Sequence, residues 1–210
     1  MRKYLHIALA ICCLVVIPAT VVHAEDFYGN SQASKGFNFD IRPYAGIGFG
    51  AFGLELKAPR VSQKNTVFGG FGKAGVDIGD YLGVEIRGGS TTSGTTDYPS
   101  LNATLKIRSS YFISYLAKLQ SWESAGMKVY ALVGATTAKF KATATATGLG
   151  AASASSTKTG VSYGFGINYH IQDSLTVGGE WMQYWTNVSL GAAGVDANMW
   201  GAVATVAYHF

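Results

Sequence analysis

Along most of the chain the large apolar side chains fall on every second position, the period of a β-strand with two unlike faces. The pattern is clearest at the end. Trp200, Ala202, Ala204, Val206, Tyr208 and Phe210 share one parity, while Gly201, Val203, Thr205, Ala207 and His209 share the other. The first set suits lipid and carries aromatics at both ends; the second is mostly small, with one polar histidine. The same alternation runs through Val161, Tyr163, Phe165, Ile167 and Tyr169, set against Ser162, Gly164, Gly166 and Asn168. It recurs in Leu82, Val84 and Ile86; in Leu105, Ile107, Tyr111, Ile113 and Tyr115; and in Met127, Val129, Ala131 and Val133. Ile41, Ala45, Ile47 and Phe49 begin a further strand, but its apolar parity changes near Phe52, where Leu54 and Leu56 continue on the other side. A bulge, or a long strand leaving the membrane, is expected there. Thr66 to Asp77 and Ser174 to Thr186 complete a set of eight candidate strands. Each is near or above the ~9–11 residues that a tilted membrane-spanning strand needs.

The connections alternate in length. Ile78 to Asp80, Gln120 to Gly126 and Ile171 to Asp173 are short; Lys57 to Asn65, Thr92 to Asn102, Lys141 to Lys158 and Leu190 to Asn198 are longer. Short turns at one end and long loops at the other is the plan of an outer-membrane barrel, and an even strand count puts both termini on the short-turn, periplasmic side. Lys141 to Lys158 is almost all Ala, Thr, Ser and Gly, and fits either a surface loop or a hairpin extended beyond the membrane. Two-faced strands could also build a soluble sandwich. The second face here is rich in Gly, Ala and Ser and poor in charge, a poor surface for water but a good filling for a narrow barrel. In hydrocarbon only closure removes strand edges, on which each unpaired backbone group would cost several kcal/mol. The predicted fold is therefore all-β, a closed antiparallel up-and-down transmembrane barrel of about eight strands.

The start of the chain reads differently. Arg2 and Lys3 precede an apolar run from Tyr4 to Ile17, Pro18 breaks it, and Val22-His23-Ala24 supplies a small-residue cut before Glu25. This is the layout of a secretory signal peptide, and the run is shorter than the ~20 residues of a spanning helix. A lipid-anchor reading through Cys12 and Cys13 fails on Ile11, where a small residue is wanted. The predicted organisation is a signal peptide over 1–24, an N-terminal lead over 25–38 and the barrel over 39–210. Cleavage removes both cysteines, so no disulfide or cysteine metal site is expected. Taking Arg2 and Lys3 from the 16 basic residues leaves 14 against 12 acids, a net charge of +2 without a Lys/Arg cluster, which does not favour nucleic acid. Charged residues are 13 % of the chain, about half the ~25 % usual for soluble domains, which again favours a lipid-facing exterior.

Candidate chemistry is sparse. Gly48-Phe49-Gly50-Ala51-Phe52-Gly53 matches the dinucleotide fingerprint in letters, but Leu54 to Pro59 offers no helix to hold a pyrophosphate. After Ala24 only His170 and His209 remain, and nothing places Ser, His and an acid together. No catalytic residue, cofactor or metal site is expected. Asn102-Ala103-Thr104 and Asn187-Val188-Ser189 match the glycosylation pattern by chance. The inward parity collects the charges Arg42, Lys73, Asp77, Glu85, Arg87, Lys106, Arg108, Lys128 and Glu180. These are expected to pair in the lumen near the level of Glu85 and Glu180, plugging and stiffening the barrel; the alternative is a narrow ion path. Tyr81, Tyr98, Tyr169, Trp181, Trp185, Trp200, Tyr208 and Phe210 lie at strand ends, where interfacial aromatic girdles form.

Three stretches resemble the bacterial outer-membrane β-barrel domain family that includes opacity-type adhesins and small porin-family surface antigens. They are the first strand Arg42-Pro43-Tyr44-Ala45-Gly46-Ile47-Gly48-Phe49-Gly50, the hairpin from Gly164 to Trp181, and the terminus Val206-Ala207-Tyr208-His209-Phe210. The resemblance implies that Val206, Tyr208 and Phe210 form the signal read by the barrel-assembly machinery. It implies an outer-membrane location among lipids that include lipopolysaccharide, and a structural, surface-antigen or adhesion role with four outward loops that could meet a host or surface ligand. A small-solute channel is the alternative and a lipid-modifying enzyme a third reading. The family unites by architecture, so it supplies no ligand.

Overall fold

A computed structural model of the chain describes residues 40–58, 61–98, 103–146, 150–190 and 194–210. The signal peptide and the N-terminal lead fall outside the described residues. Nine strands follow in order: β1 (Ile41–Ala58), β2 (Val61–Ile78), β3 (Leu82–Thr91), β4 (Gly94–Tyr98), β5 (Ala103–Gln120), β6 (Met127–Ala146), β7 (Gly150–Gln172), β8 (Leu175–Ser189) and β9 (Asp196–His209). All pairings are antiparallel, between sequence neighbours except for β3 with β5 and for β1 with β9 (Ile47 opposite Val206), the last of which closes the ring. Both β3 and β4 pair with β5, Gly89 standing opposite Phe112 and Gly94 opposite Ile107. They are successive segments of one stave, so nine strands make a ring of eight staves.

The alternation read from the sequence orients most staves. In β9 Ala202, Ala204, Val206 and Tyr208 face out while Gly201, Val203, Thr205 and Ala207 are buried. Leu82, Val84 and Ile86 of β3, Val129 and Val133 of β6 and Phe165, Ile167 and Tyr169 of β7 are all exposed large apolar side chains. In water such a surface would aggregate; in a bilayer it is the solvated face.

Two staves depart from the expected phase. The register of β1 against β2 is continuous from Ile41–Ile78 to Ala58–Val61, with no bulge at Phe52. Even positions point inward throughout. Phe52 and Leu54 are fully buried because the upper lumen is itself apolar, so the side-chain chemistry changes there and the backbone does not. In β5 the register slips between Ser109 and Tyr111. One extra residue turns every side chain beyond it to the other face. Ile107 and Ser109 are therefore buried before the bulge, and Phe112, Ser114, Leu116 and Lys118 after it. Ile107, expected to face lipid, faces the lumen.

At one end the turns are tight. Ala125 and Gly126 both take positive φ (51° and 77°) between the bridged residues Ser124 and Met127, as a two-residue hairpin turn with left-handed centre requires. At the other end the predicted loops are mostly strand. The β6–β7 ladder reaches Ala146 opposite Gly150, and β1–β2 reaches Ala58 opposite Val61. Low-complexity 141–158 is thus an extended hairpin. β8 leaves the ladder through two register shifts after Gln183, and its described pairing with β7 ends at Tyr163.

Candidate functional site: a filled lumen

The inward side chains build three levels. At the middle one, Arg87 stands on β3 and Glu180 on β8, four staves apart in a ring of eight and so on opposite walls. The Arg87 guanidinium spans the lumen, donating through Nη2 to Glu180 Oε2 at 2.6 Å and through Nη1 to Glu180 Oε1, while its Nε binds Glu85 Oε1. Such a fork holds a carboxylate by two parallel bonds, which fixes direction as well as distance. Tyr44 donates to Glu85 Oε2 at 2.7 Å and Tyr130 to Glu180 Oε2 at 2.9 Å. Lys73 Nζ lies 3.9 Å from Glu85 Oε2. Two cations and two anions balance, and the side chains of Arg87 and Glu180 are wholly buried.

Below, toward the start of β1 and the C-terminus, Asp77 Oδ1 meets Lys118 Nζ at 2.5 Å and Asp77 Oδ2 faces His209 Nε2 at 3.5 Å. Lys118 also lies over the Tyr44 ring, 4.4 Å from its centroid. The His209 and His170 rings are 5.9 Å apart, and His170 Nδ1 and Lys128 Nζ reach Glu123 Oε2 at 3.6 and 3.9 Å.

Above, Arg87 packs under the Phe71 ring at 4.8 Å. Phe52 from β1, Phe112 from β5 and Tyr184 from β8 meet as a triangle, with centroids 5.8, 5.8 and 5.1 Å apart. Higher still, Trp185 stacks on Phe140 at 4.8 Å and donates its indole N–H to the Thr136 carbonyl at 2.9 Å. Over this stack a cavity of about 270 Å³ opens between Leu56, Ile107, Phe140, Ala142, Leu190 and Val195.

Of the nine charges expected inside, Lys73, Asp77, Glu85, Arg87, Lys128 and Glu180 are buried there. Three are not. Arg42 sits at the rim, its side chain 41 % exposed and 3.8 Å from Asp40. Lys106 and Arg108 point outward, because the β5 bulge lies beyond them and sets their parity opposite to that of Lys118. Lys118, Tyr44 and Tyr130 belong to the network and were missed. Lys118 carried a signal, since it lies on the same side of the slip as Ser114 and shares its parity. Among the expected girdle residues Tyr81 and Tyr169 are exposed and Trp181 and Trp200 half-buried on the outer face. Trp185 is a correction: it is fully buried in the lumen, turned inward by the first β8 bulge. Val206, Tyr208 and Phe210 all point outward, the last two rings edge to face at 5.4 Å.

A closed ring of antiparallel staves, apolar outside and filled with paired charges and stacked rings inside, defines a small transmembrane β-barrel of the outer-membrane type. The model of the outer membrane protein beta-barrel domain family matches residues 23–210, and the chain belongs to that family and to the bacterial outer membrane. Among solved structures it is similar to Ail, the attachment invasion locus protein of Yersinia pestis (19 % identity, TM-score 0.50, covering 80 % of this chain and 98 % of that one). Neisserial surface protein A is as similar (18 % identity, TM-score 0.51, 80 % and 97 %). At these identities the likeness is one of fold. No curated protein sequence matches the chain.

Proposed function

We propose that this protein is a sealed outer-membrane anchor with a non-catalytic role, displaying four hairpins for adhesion, as a surface antigen or in support of the wall. The observation that carries the reading is the Arg87–Glu180 bridge across the lumen beneath the Phe52–Phe112–Tyr184 triangle. A lumen crossed by that bridge and overlaid by those rings disfavours the channel reading. In this proposal the Arg87 network stiffens the wall, and Tyr81, Tyr169, Trp181 and Trp200 hold the barrel at the two interfaces. Val206, Tyr208 and Phe210 present the outward aromatic terminus to the assembly machinery. A ligand on the outer hairpins accords with the likeness in fold to Ail, which has been solved in complex with the heparin analogue sucrose octasulfate (18 % identity, TM-score 0.51, covering 80 % of this chain and 99 % of that one).

Two measurements test this. In planar bilayers the purified protein is expected to give no stable conductance steps; regular steps would return the channel reading. Cells carrying the protein with the outer hairpins shortened are expected to lose binding to host cells or matrix. Unchanged binding would remove the adhesion role.

A further inference from the structure

The cations that the β5 bulge turns outward do not stand alone. Lys106 and Arg108 on β5 are exposed, and Arg108 lies directly opposite Lys141 on β6, with Lys139 two residues below it and opposite Tyr111. All four side chains leave the outer face of the barrel on two adjacent strands. No carboxylate among the described residues lies within ion-pair distance of any of them, whereas Lys57 on the far flank pairs with Glu55 at 3.7 Å. Asp97, on the neighbouring β4, is diagonal to Lys106 and accepts a hydrogen bond from Thr104 at 2.8 Å. On the other side β7 presents Ser155 opposite Lys141 and Thr157 opposite Lys139, hydroxyls rather than acids.

The height of the patch identifies its surroundings. A strand rising ~3.3 Å per residue at a tilt of ~40° climbs about 2.5 Å per residue, so a ~25 Å apolar belt lasts about ten residues. Counted from Met127, the first exposed apolar residue of β6, the belt ends near Thr137. Val129, Val133, Tyr115, Val161 and Tyr163 lie below that level and are exposed; Lys139 and then Lys141 are the next outward positions above it. Four like charges within four residues of rise, from the level of Lys139 to that of Lys106, are self-repulsive without counter-charge. At the outer boundary of this membrane the counter-charge is the phosphorylated sugar of lipopolysaccharide. We infer that Lys106, Arg108, Lys139 and Lys141 form a docking surface for lipid A phosphates, with the acyl chains lying on the apolar field directly below. Arg108 supplies a planar fork for phosphate oxygens and the lysines mobile point charges.

The test uses the full chain purified from outer membranes into detergent micelles and titrated with bisphosphorylated lipid A, the retained lipid being counted by native mass spectrometry. The variant Lys106→Ser/Arg108→Ser/Lys139→Ser/Lys141→Ser is expected to bind about tenfold or more weakly, since each cation near an anionic lipid surface adds to the attraction. Wild type is expected to lose the same margin with dephosphorylated lipid A, and part of it in high salt. The pair Arg108→Gln/Lys141→Gln, a smaller change, is expected to show an intermediate loss and serves should the fourfold variant not fold by its heat-modifiable gel migration. Lys57→Ser/Lys64→Ser, on the opposite flank, is expected to change nothing. Equal lipid A affinity in wild type and variants would overturn the proposal, as would indifference of the wild type to dephosphorylation or an equal loss in the flank control. Loss of sucrose octasulfate binding with lipid A binding retained would reassign the patch to a soluble sulfated ligand and overturn it as well.

Discussion

Arg87 is the residue on which the lumen turns. Its side chain touches Glu85, Glu180 and the Phe71 ring together, and it does so with no exposed surface. Replacing it by Met keeps most of the volume but leaves two carboxylates buried with only Lys73, Tyr44 and Tyr130 beside them. Breaking a buried pair from one side costs about 3–5 kcal/mol. Arg87→Met is therefore expected to lower the temperature at which heat-modifiable migration converts, and Arg87→Met/Glu85→Gln/Glu180→Gln to recover part of the loss. No recovery would mean that shape, not charge, makes Arg87 necessary. Gly166 is a second sensitive residue: the Tyr130 ring lies over it, and an added Cβ would meet that ring and the phenol oxygen. Gly166→Val is expected to displace Tyr130 from Glu180 and to destabilise the barrel, while Gly72→Val, where an added Cβ meets nothing within 4 Å, is tolerated. The same thermal migration assay separates them. Residue types at these places were legible as inward and polar or small. That Arg87 reaches across to Glu180, 93 residues away in sequence, was not, because the pairing depends on the diameter of a closed ring.

At the scale of the element, the β5 bulge decides what the strand shows to lipid. Ser110 is the extra, unpaired residue: without it Ile107, Ser109, Phe112 and Ser114 alternate in an unbroken period of two, and both halves of the strand keep their faces. Deleting Ser110 is therefore expected to be tolerated and to leave Lys106 and Arg108 outside. A reporter cysteine checks this: Arg108→Cys is expected to react with a membrane-impermeant thiol reagent on intact cells, both with Ser110 present and with it deleted. The predicted mature chain holds no other thiol. Loss of labelling on deletion would mean that the slip is not a one-residue insertion at Ser110. The sequence alone carries Leu105 and Ile107 in one row with Tyr111, a plausible single strand. One inserted residue leaves no mark on composition, and only pairing against β6 places it. In β1 the reverse holds: the apolar parity does change, yet the register is continuous.

At the scale of the whole molecule, the aromatic triangle and the charge layer occupy the lumen at two successive levels. Phe52→Ala/Phe112→Ala/Tyr184→Ala removes the three rings that meet in the upper lumen, and Arg87→Ala added to them removes the bridge below. The ring variant alone is expected to stay silent in planar bilayers, because Arg87 still crosses the lumen. The fourfold variant, if it retains heat-modifiable migration, is expected to show small conductance steps. Steps from the unaltered protein would mean that the lumen opens in the membrane in a way the packing does not suggest.

The sequence by itself determined the two-faced strands, their number as staves, the side on which the short turns fall and the need for closure. These follow from a backbone whose side chains alternate every residue and whose polar groups have no water to pair with in hydrocarbon. Tertiary structure alone decided which charges meet inside and which stand outside, that Trp185 is a core residue, and that the upper lumen is apolar. Those facts depend on register, bulges and distances across a ring, which are set between strands far apart in the chain and leave no local trace in its pattern.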